Sequence, residues 1–341
     1  MLPSADRTRF ARTCHDETVR STLERYRWYR DVQFAGSSEI YVDWSAGIAD
    51  DPAVLALIEQ LPAPKRQSNL VFAAARFVGA PLVPYAELRP WLIAHWDEIV
   101  AVALTHSTQT NEAARCATLL PLLSAIDGPI ALLEVGASGG SVLLPERYSY
   151  EYVTPDGSVQ HLHPDDGPSA VQLRCAIDPA DAIPTRMPEV VWRAGIDLNP
   201  LSYANPDDVE WLQMLVWPEH SERRERLEAV ASIVREDPPR IVKGDALELL
   251  PEVAAEAPKD ATLVVFHSAV LLYMPLEDRE RFAATVEQLD ATWISNEGQS
   301  VLPWIDEQLD PSLEVGANFI ISIDRRPVAM VGGHGQSYQQ L

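Results

Sequence analysis

From Asp127-Gly128-Pro129 onward, short β-rich runs alternate with helical stretches. The runs are IALLEV at 130–135, VVWRAGIDL at 190–198, RIVKGD at 240–245, ATLVVFHS at 261–268 and ATWISNEG at 291–298. Strands that are apolar throughout are buried on both faces, and helices between them are the connections a parallel sheet requires. Helices are expected at 207–216, 221–235, 247–255 and 277–289. The end differs: 317–323 and 328–331 flank Asp324-Arg325-Arg326-Pro327, which reads as an antiparallel hairpin closing the sheet.

Residues before that boundary read as helical. Glu17 to Arg30 places Val19, Leu23, Tyr26 and Tyr29 at helical spacing. Asp51-Pro52 supplies an N-cap and a first-turn proline, and 70–78, 88–102 and 112–126 repeat the helical pattern. The chain therefore divides into a helical cap region, 1–127, and a sheet domain, 128–341. The alternation breaks once, after the first strand. There ERYSYEYV alternates its tyrosines and Pro155-Asp156-Gly157 forms a turn, so an inserted β-hairpin is expected within about 145–189.

Charge narrows the partner. The 27 basic and 50 acidic side chains leave a net charge of −23, and only three lysines occur, Lys65, Lys243 and Lys259. Without a basic patch, phosphate backbones and anionic lipid are repelled, so no nucleic acid or membrane partner is expected and a small molecule is the default. Cys14, Cys116 and Cys175 are too scattered for a disulfide framework or a cysteine zinc site. The N-terminus MLPSADRTRFARTCHDE has no apolar signal core, and a cytoplasmic location is expected. Oligomeric state is not legible.

The first strand runs into Glu134-Val135-Gly136-Ala137-Ser138-Gly139-Gly140. Glycines here let the backbone turn sharply and approach a ligand. Three readings compete. Gly136-Ala137-Ser138-Gly139-Gly140 satisfies GxSxG, the nucleophile elbow of an α/β hydrolase, with His334 as the late histidine. It could equally be part of a nicotinamide fingerprint, but Val142 stands where the last glycine would fall and no lysine has a tyrosine four residues before it. The third reading is the S-adenosylmethionine turn of class I methyltransferases, D/E-x-G-x-G-x-G, with Ser138 replacing the middle glycine. Two further acidic strand ends favour it. Gly195-Ile196-Asp197-Leu198-Asn199-Pro200 ends the second strand, where a carboxylate accepts from ribose hydroxyls. Gly244-Asp245-Ala246 ends the third, where one accepts from an adenine amine.

From about residue 110 to the end the chain resembles the class I S-adenosylmethionine-dependent methyltransferases. More closely, it resembles a bacterial family known as a domain of unknown function. Gln109-Thr110-Asn111-Glu112 with Arg115, Leu133 to Gly139, Arg147-Tyr148 with Tyr150, and Asp197 to Leu201 carry that resemblance. So do Trp217-Pro218-Glu219, Gly244 to Ala246, Phe266 to Leu271 with Tyr273, and Ser295 to Gly298. It implies a Rossmann-like, seven-stranded, mostly parallel sheet and S-adenosylmethionine as cofactor. Glu134, Gly136, Ser138, Gly140, Asp197, Asp245 and Ala246 are the expected cofactor-binding residues. Asp197 lies 63 residues after Glu134, against about 20 in an ordinary dinucleotide site, because of the insertion.

Candidate chemistry gathers at the strand ends. His267, after the fourth strand, could take a proton from an attacking hydroxyl or amine, or only shape the pocket floor. Glu297 could orient or deprotonate substrate and Asn296 bind it, or the pair could cap the next segment. Gln109, Asn111 and Arg115 precede an apolar helix start and read as substrate-binding, with an exposed helix start as the alternative. Tyr148 and Tyr150, with Tyr152, could wall the pocket or pack on the helical region. His161-Leu162-His163-Pro164-Asp165-Asp166 carries metal-ligand types, but such loops are mostly solvated and no metal is expected. Trp211 and Trp217 read as core. The leading expectation is a methyltransferase acting on a small molecule. The alternatives are a Ser138-dependent hydrolase and a non-catalytic nucleoside-cofactor-binding protein.

Overall fold

The computed structural model describes residues 21–109 and 111–341; Cys14, Thr110 and residues 17–20 of the first expected helix lie outside the described residues. The chain divides into two compact units, a helical one containing residues 21–109 and 204–225 and a sheet unit containing residues 111–203 and 226–341.

In the helical unit, local signals set the helix starts. Ser21 and Glu24 form a reciprocal capping box ahead of Thr22–Trp28. Asp51 accepts from the amides of Ala53 and Val54 ahead of Pro52–Ile58. The helix expected over 88–102 is two, Tyr85–Ala94 and Trp96–Thr105, which meet at His95. Phe34, Tyr41 and Phe72 pack ring against ring, with Trp217 5.0 Å from Phe34. Trp211 is fully buried and its indole donates to the Ser107 carbonyl at 3.1 Å.

The sheet unit is a mixed α/β structure around one large, mostly parallel sheet. Its strands are β1 (Pro129–Val135), β2 (Ser149–Val153), β3 (Val159–Leu162), β4 (Gln172–Asp178), β5 (Glu189–Asp197) and β6 (Arg240–Lys243). They continue with β7 (Thr262–Ser268), β8 (Ala291–Gly298), β9 (Phe319–Ile323), β10 (Arg326–Val331) and β11 (Ser337–Gln340). The order is β3-β2-β4-β11-β10-β9-β8-β7-β1-β5-β6, eleven strands and not the seven expected. The excess comes from the insertion and the C-terminus. The inserted hairpin is present as antiparallel β2 and β3. A further strand, β4, runs parallel to β2 on one side and to β11 on the other, so the insertion extends the main sheet. In β4, Leu173, Cys175 and Ile177 are buried while the residues between them are exposed. That period of two was readable but short.

β9 and β10 form the expected C-terminal hairpin. Asp324 and Arg325 adopt positive φ of 45° and 63°, the backbone handedness that a two-residue hairpin turn demands. From Ile130 to Val135, β1 is buried throughout, which accounts for its unbroken apolar run. Among the described residues no helix is long and apolar enough to cross a membrane.

Candidate functional site

β1 pairs in parallel with β5 on one side and β7 on the other, β5 leads outward to β6, and β7 to β8. Strand order therefore reverses at β1. The carboxyl ends of the strands on either side leave a crevice at such a point, and ligands of open α/β sheets bind there.

The glycine turn fills that position and is held from several sides. Gly136 has φ of +75°, and a Cβ there would sit 2.3 Å from Val270 Cγ2. A Cβ on Gly139 would sit 2.6 Å from Asn111 Nδ2 and 2.8 Å from the Tyr203 ring. Both positions need glycine for close approach, and Gly136 needs it for backbone freedom as well. Ser138, between these glycines, also takes positive φ, 50°. Its amide donates to Asp197 Oδ2 at 2.8 Å, and its buried hydroxyl has no hydrogen-bond partner among the described residues. Gly140 is also at positive φ, beside Pro239.

Asp197 closes β5 and accepts twice: Oδ2 from Ser138, and Oδ1 from the Asn199 amide at 2.7 Å. Its carboxyl thus ties the turn after β1 to the turn after β5. Asp245 follows β6 as an exposed N-cap, accepting from the Leu247 amide at 2.9 Å, and Ala246 is the buried first residue of that helix.

Glu134 is buried, and its Oε2 has no hydrogen-bond partner among the described residues. Burial pushes its carboxyl well above the usual range, Arg115 pulls it partly back and the charge of Asp197 adds to the rise. Arg115, itself buried, donates to the Ser268 and Gly333 carbonyls at 3.1 Å each. Asn296 donates to Ser268 Oγ at 2.9 Å, and its buried Oδ1 has no hydrogen-bond partner among the described residues. Glu134, Arg115, Ser268 and Asn296 thus sit at the carboxyl ends of three adjacent strands.

His267 and Glu297 point to the opposite side of the sheet, as alternation along a strand requires. His267 Nδ1 donates to Glu297 Oε1 at 2.8 Å, and the ring lies edge-on to Phe282, 5.5 Å away. The same Oε1 accepts from the amides of Val270 and Leu271 at 2.9 Å each. Both side chains are almost fully buried, and His267 Nε2 and Glu297 Oε2 have no hydrogen-bond partner among the described residues.

Asn111 contacts the glycine turn. Its Nδ2 donates to the Tyr203 hydroxyl at 3.0 Å and its Oδ1 accepts from the Ser141 amide at 3.3 Å. Tyr203, Ser141 and Val270 are the turn's partners that no local pattern marks. Gln109 lies in the helical unit. Tyr148, Tyr150 and Tyr152 are fully buried, and their hydroxyls donate to the carbonyls of Ser141, Pro145 and Ala117. Those bonds fix the insertion to the segment after β1 and to the helix Cys116–Ser124. His161 on β3 and His163 just past its end stack with centroids 5.9 Å apart, and among the described residues no group of three or more His, Cys, Asp or Glu is placed to hold a metal ion.

The model of a family described as "Uncharacterized protein conserved in bacteria (DUF2332)" matches residues 23–339. No curated protein matches the chain.

Proposed function

The chain belongs to the bacterial family DUF2332, and from that footing we propose that it is an S-adenosylmethionine-dependent methyltransferase acting on a small molecule. The observation that carries the reading is the reversal of strand order at β1, where the glycine turn meets the acidic ends Glu134 and Asp197. The run β6-β5-β1-β7-β8 has the order 3-2-1-4-5 of doubly wound, Rossmann-like sheets.

The residues suit a nucleoside cofactor. Glu134 offers a buried acceptor oxygen with no hydrogen-bond partner among the described residues, and the glycines of the turn 136–140 let its backbone bend sharply beside it. Asp197 would accept from ribose hydroxyls with the lone pairs left after its two amide bonds. Asp245 and Ala246 would face the base. Bound there, the cofactor supplies an electrophilic methyl group on a sulfonium. The protein's part is to orient the acceptor and exclude water. Asn296, with its unpartnered Oδ1 and its bond to Ser268, is suited to orient it. A net charge of −23 favours a neutral or cationic small molecule over a polyanion.

The test is a melting curve with S-adenosylmethionine, S-adenosylhomocysteine and NAD at millimolar concentration. Ligand that binds only the native state raises Tm by mass action. A rise with the first two supports the reading. A rise with NAD alone refutes it, and binding without any transfer to a panel of acceptors favours a non-catalytic binding protein.

A second reading keeps one observation in its favour. Ser138 has the strained positive φ of a nucleophile elbow within GxSxG. Against it, Ser138 Oγ has no hydrogen-bond partner, whereas an activated serine needs its base within reach. Hydrolysis of activated esters that is lost in Ser138→Ala would establish it.

A further inference from the structure

The loop after β7, residues 269–274, is held by two buried charged side chains of opposite sign. Glu297 Oε1 accepts the amides of Val270 and Leu271 at 2.9 Å each, and is itself steadied by His267 Nδ1 at 2.8 Å. Arg279, 4% exposed, takes the other end of the loop: its Nε donates to the Met274 carbonyl at 2.8 Å and its Nη2 to that of Leu272 at 3.3 Å. A third bond, from Nη1 to the Val301 carbonyl at 2.7 Å, anchors the guanidinium. Carboxyl to N–H and guanidinium to C=O are the strong, charge-assisted pairings for a loop backbone.

The loop so held is under local strain and sits where it matters. It opens with Ala269 at φ 57°, a conformation that costs a non-glycine residue energy and persists only when its surroundings impose it. The Ala269 amide donates to the Asn296 carbonyl at 2.9 Å, which adds a main-chain tether to β8. The next side chain, Val270, occupies the space that a Cβ on Gly136 would need. The loop is therefore one wall of the glycine turn.

We propose that Glu297 and Arg279 are positioning residues that lock loop 269–274 against the glycine turn and so set the shape of the pocket wall at Val270. His267 steadies Glu297, and neither carboxyl nor imidazole touches substrate. The inference rests on the cofactor reading only in what the wall contacts; the clamp itself does not depend on that reading.

The experiment pairs amide hydrogen exchange with calorimetric titration of S-adenosylhomocysteine, on wild type and three variants. In the wild type the Val270 and Leu271 amides exchange slowly although they lie in a loop. Glu297→Ala removes both of their bonds to a charged acceptor, so they should exchange about 100-fold faster, with S-adenosylhomocysteine affinity down about tenfold or more. Glu297→Gln keeps an acceptor oxygen and should restore slow exchange and affinity, which ties the alanine effect to the lost backbone bonds. Val270→Ala trims the wall and leaves the clamp intact, so affinity should fall while exchange at 271 stays slow. Fast exchange of both amides in the wild type, or unchanged exchange in a folded Glu297→Ala protein, overturns the clamp; the wild-type measurement decides even if Glu297→Ala does not fold. Unchanged affinity in Val270→Ala overturns the wall. If wild type binds no S-adenosylhomocysteine, the cofactor reading fails and exchange alone decides the clamp.

Discussion

Replacing Asp197 separates its tie between two turns from the contact with ribose proposed for the same carboxyl. In Asp197→Ala, the amides of Ser138 and Asn199 lose acceptors at 2.8 and 2.7 Å. Each such bond to a charged group contributes about 1.5–3 kcal/mol. Water reaches this half-buried side chain and recovers part of that, leaving about 2–4 kcal/mol for the pair. Since 1 kcal/mol moves Tm by about 2–4 °C in a unit of 150–250 residues, the apo protein should melt roughly 4–16 °C lower. On the proposed cofactor reading, affinity should fall separately, because the same carboxyl would accept from ribose hydroxyls. A further loss of about 2–4 kcal/mol corresponds to roughly 30- to 1000-fold weaker binding. Asp197→Asn, which keeps one acceptor oxygen, should fall between wild type and alanine on both scales. The assays are apo melting curves and calorimetric titration of S-adenosylhomocysteine on the same samples. An unchanged Tm in Asp197→Ala refutes the structural tie between the two turns. A lowered Tm with unchanged affinity refutes the ribose role.

Gly136→Ala puts a methyl group against Val270 at positive φ, and should cost at least about 1–2 kcal/mol in a denaturant titration; adding Val270→Ala should recover the steric part, and no recovery would show that Val270 is not the obstacle. Ser138→Gly relieves a non-glycine residue at φ 50°; it should raise the denaturation midpoint by up to about 1 kcal/mol of stability and leave cofactor binding intact, whereas a serine hydrolase would lose all esterase activity. Burial raises the Glu134 carboxyl above its usual value of 4.5, so the native state holds that proton more tightly than the unfolded chain and stability falls as pH climbs from 4.5 through the native value. Glu134→Gln removes this dependence: its stability relative to wild type should improve as pH rises over that window and be level below it, and a gap that does not vary with pH would contradict the assignment.

Much of the sheet's centre was written locally. The five β-rich runs became β1, β5, β6, β7 and β8, and in β1 and β7 the run is unbroken because a strand buried on both faces has no polar positions to spare. The acidic strand ends and the glycines could be read too, since Gly136, Gly139 and Gly140 each meet a neighbour where a Cβ would stand. The Tyr148-Tyr150-Tyr152 alternation marked β2, although the choice between pocket wall and packing lay in what faced it.

Other features depended on contacts between distant residues. β4 joins the main sheet through β11, a parallel pairing of Ala176 with Ser337 across most of the sheet unit's length, and no local periodicity encodes which strand lies alongside. Asp197 binds the amide of Ser138, Glu297 the amides after β7, and Asn111 packs on Gly139. In each case the residue type was legible as polar and well placed, and its partner was not. Periodicity follows from the geometry of one element and survives in any short window of sequence. The pairing of strands and the satisfaction of a buried carboxyl arise only when segments far apart in the chain meet, and that is decided by the sheet they jointly build.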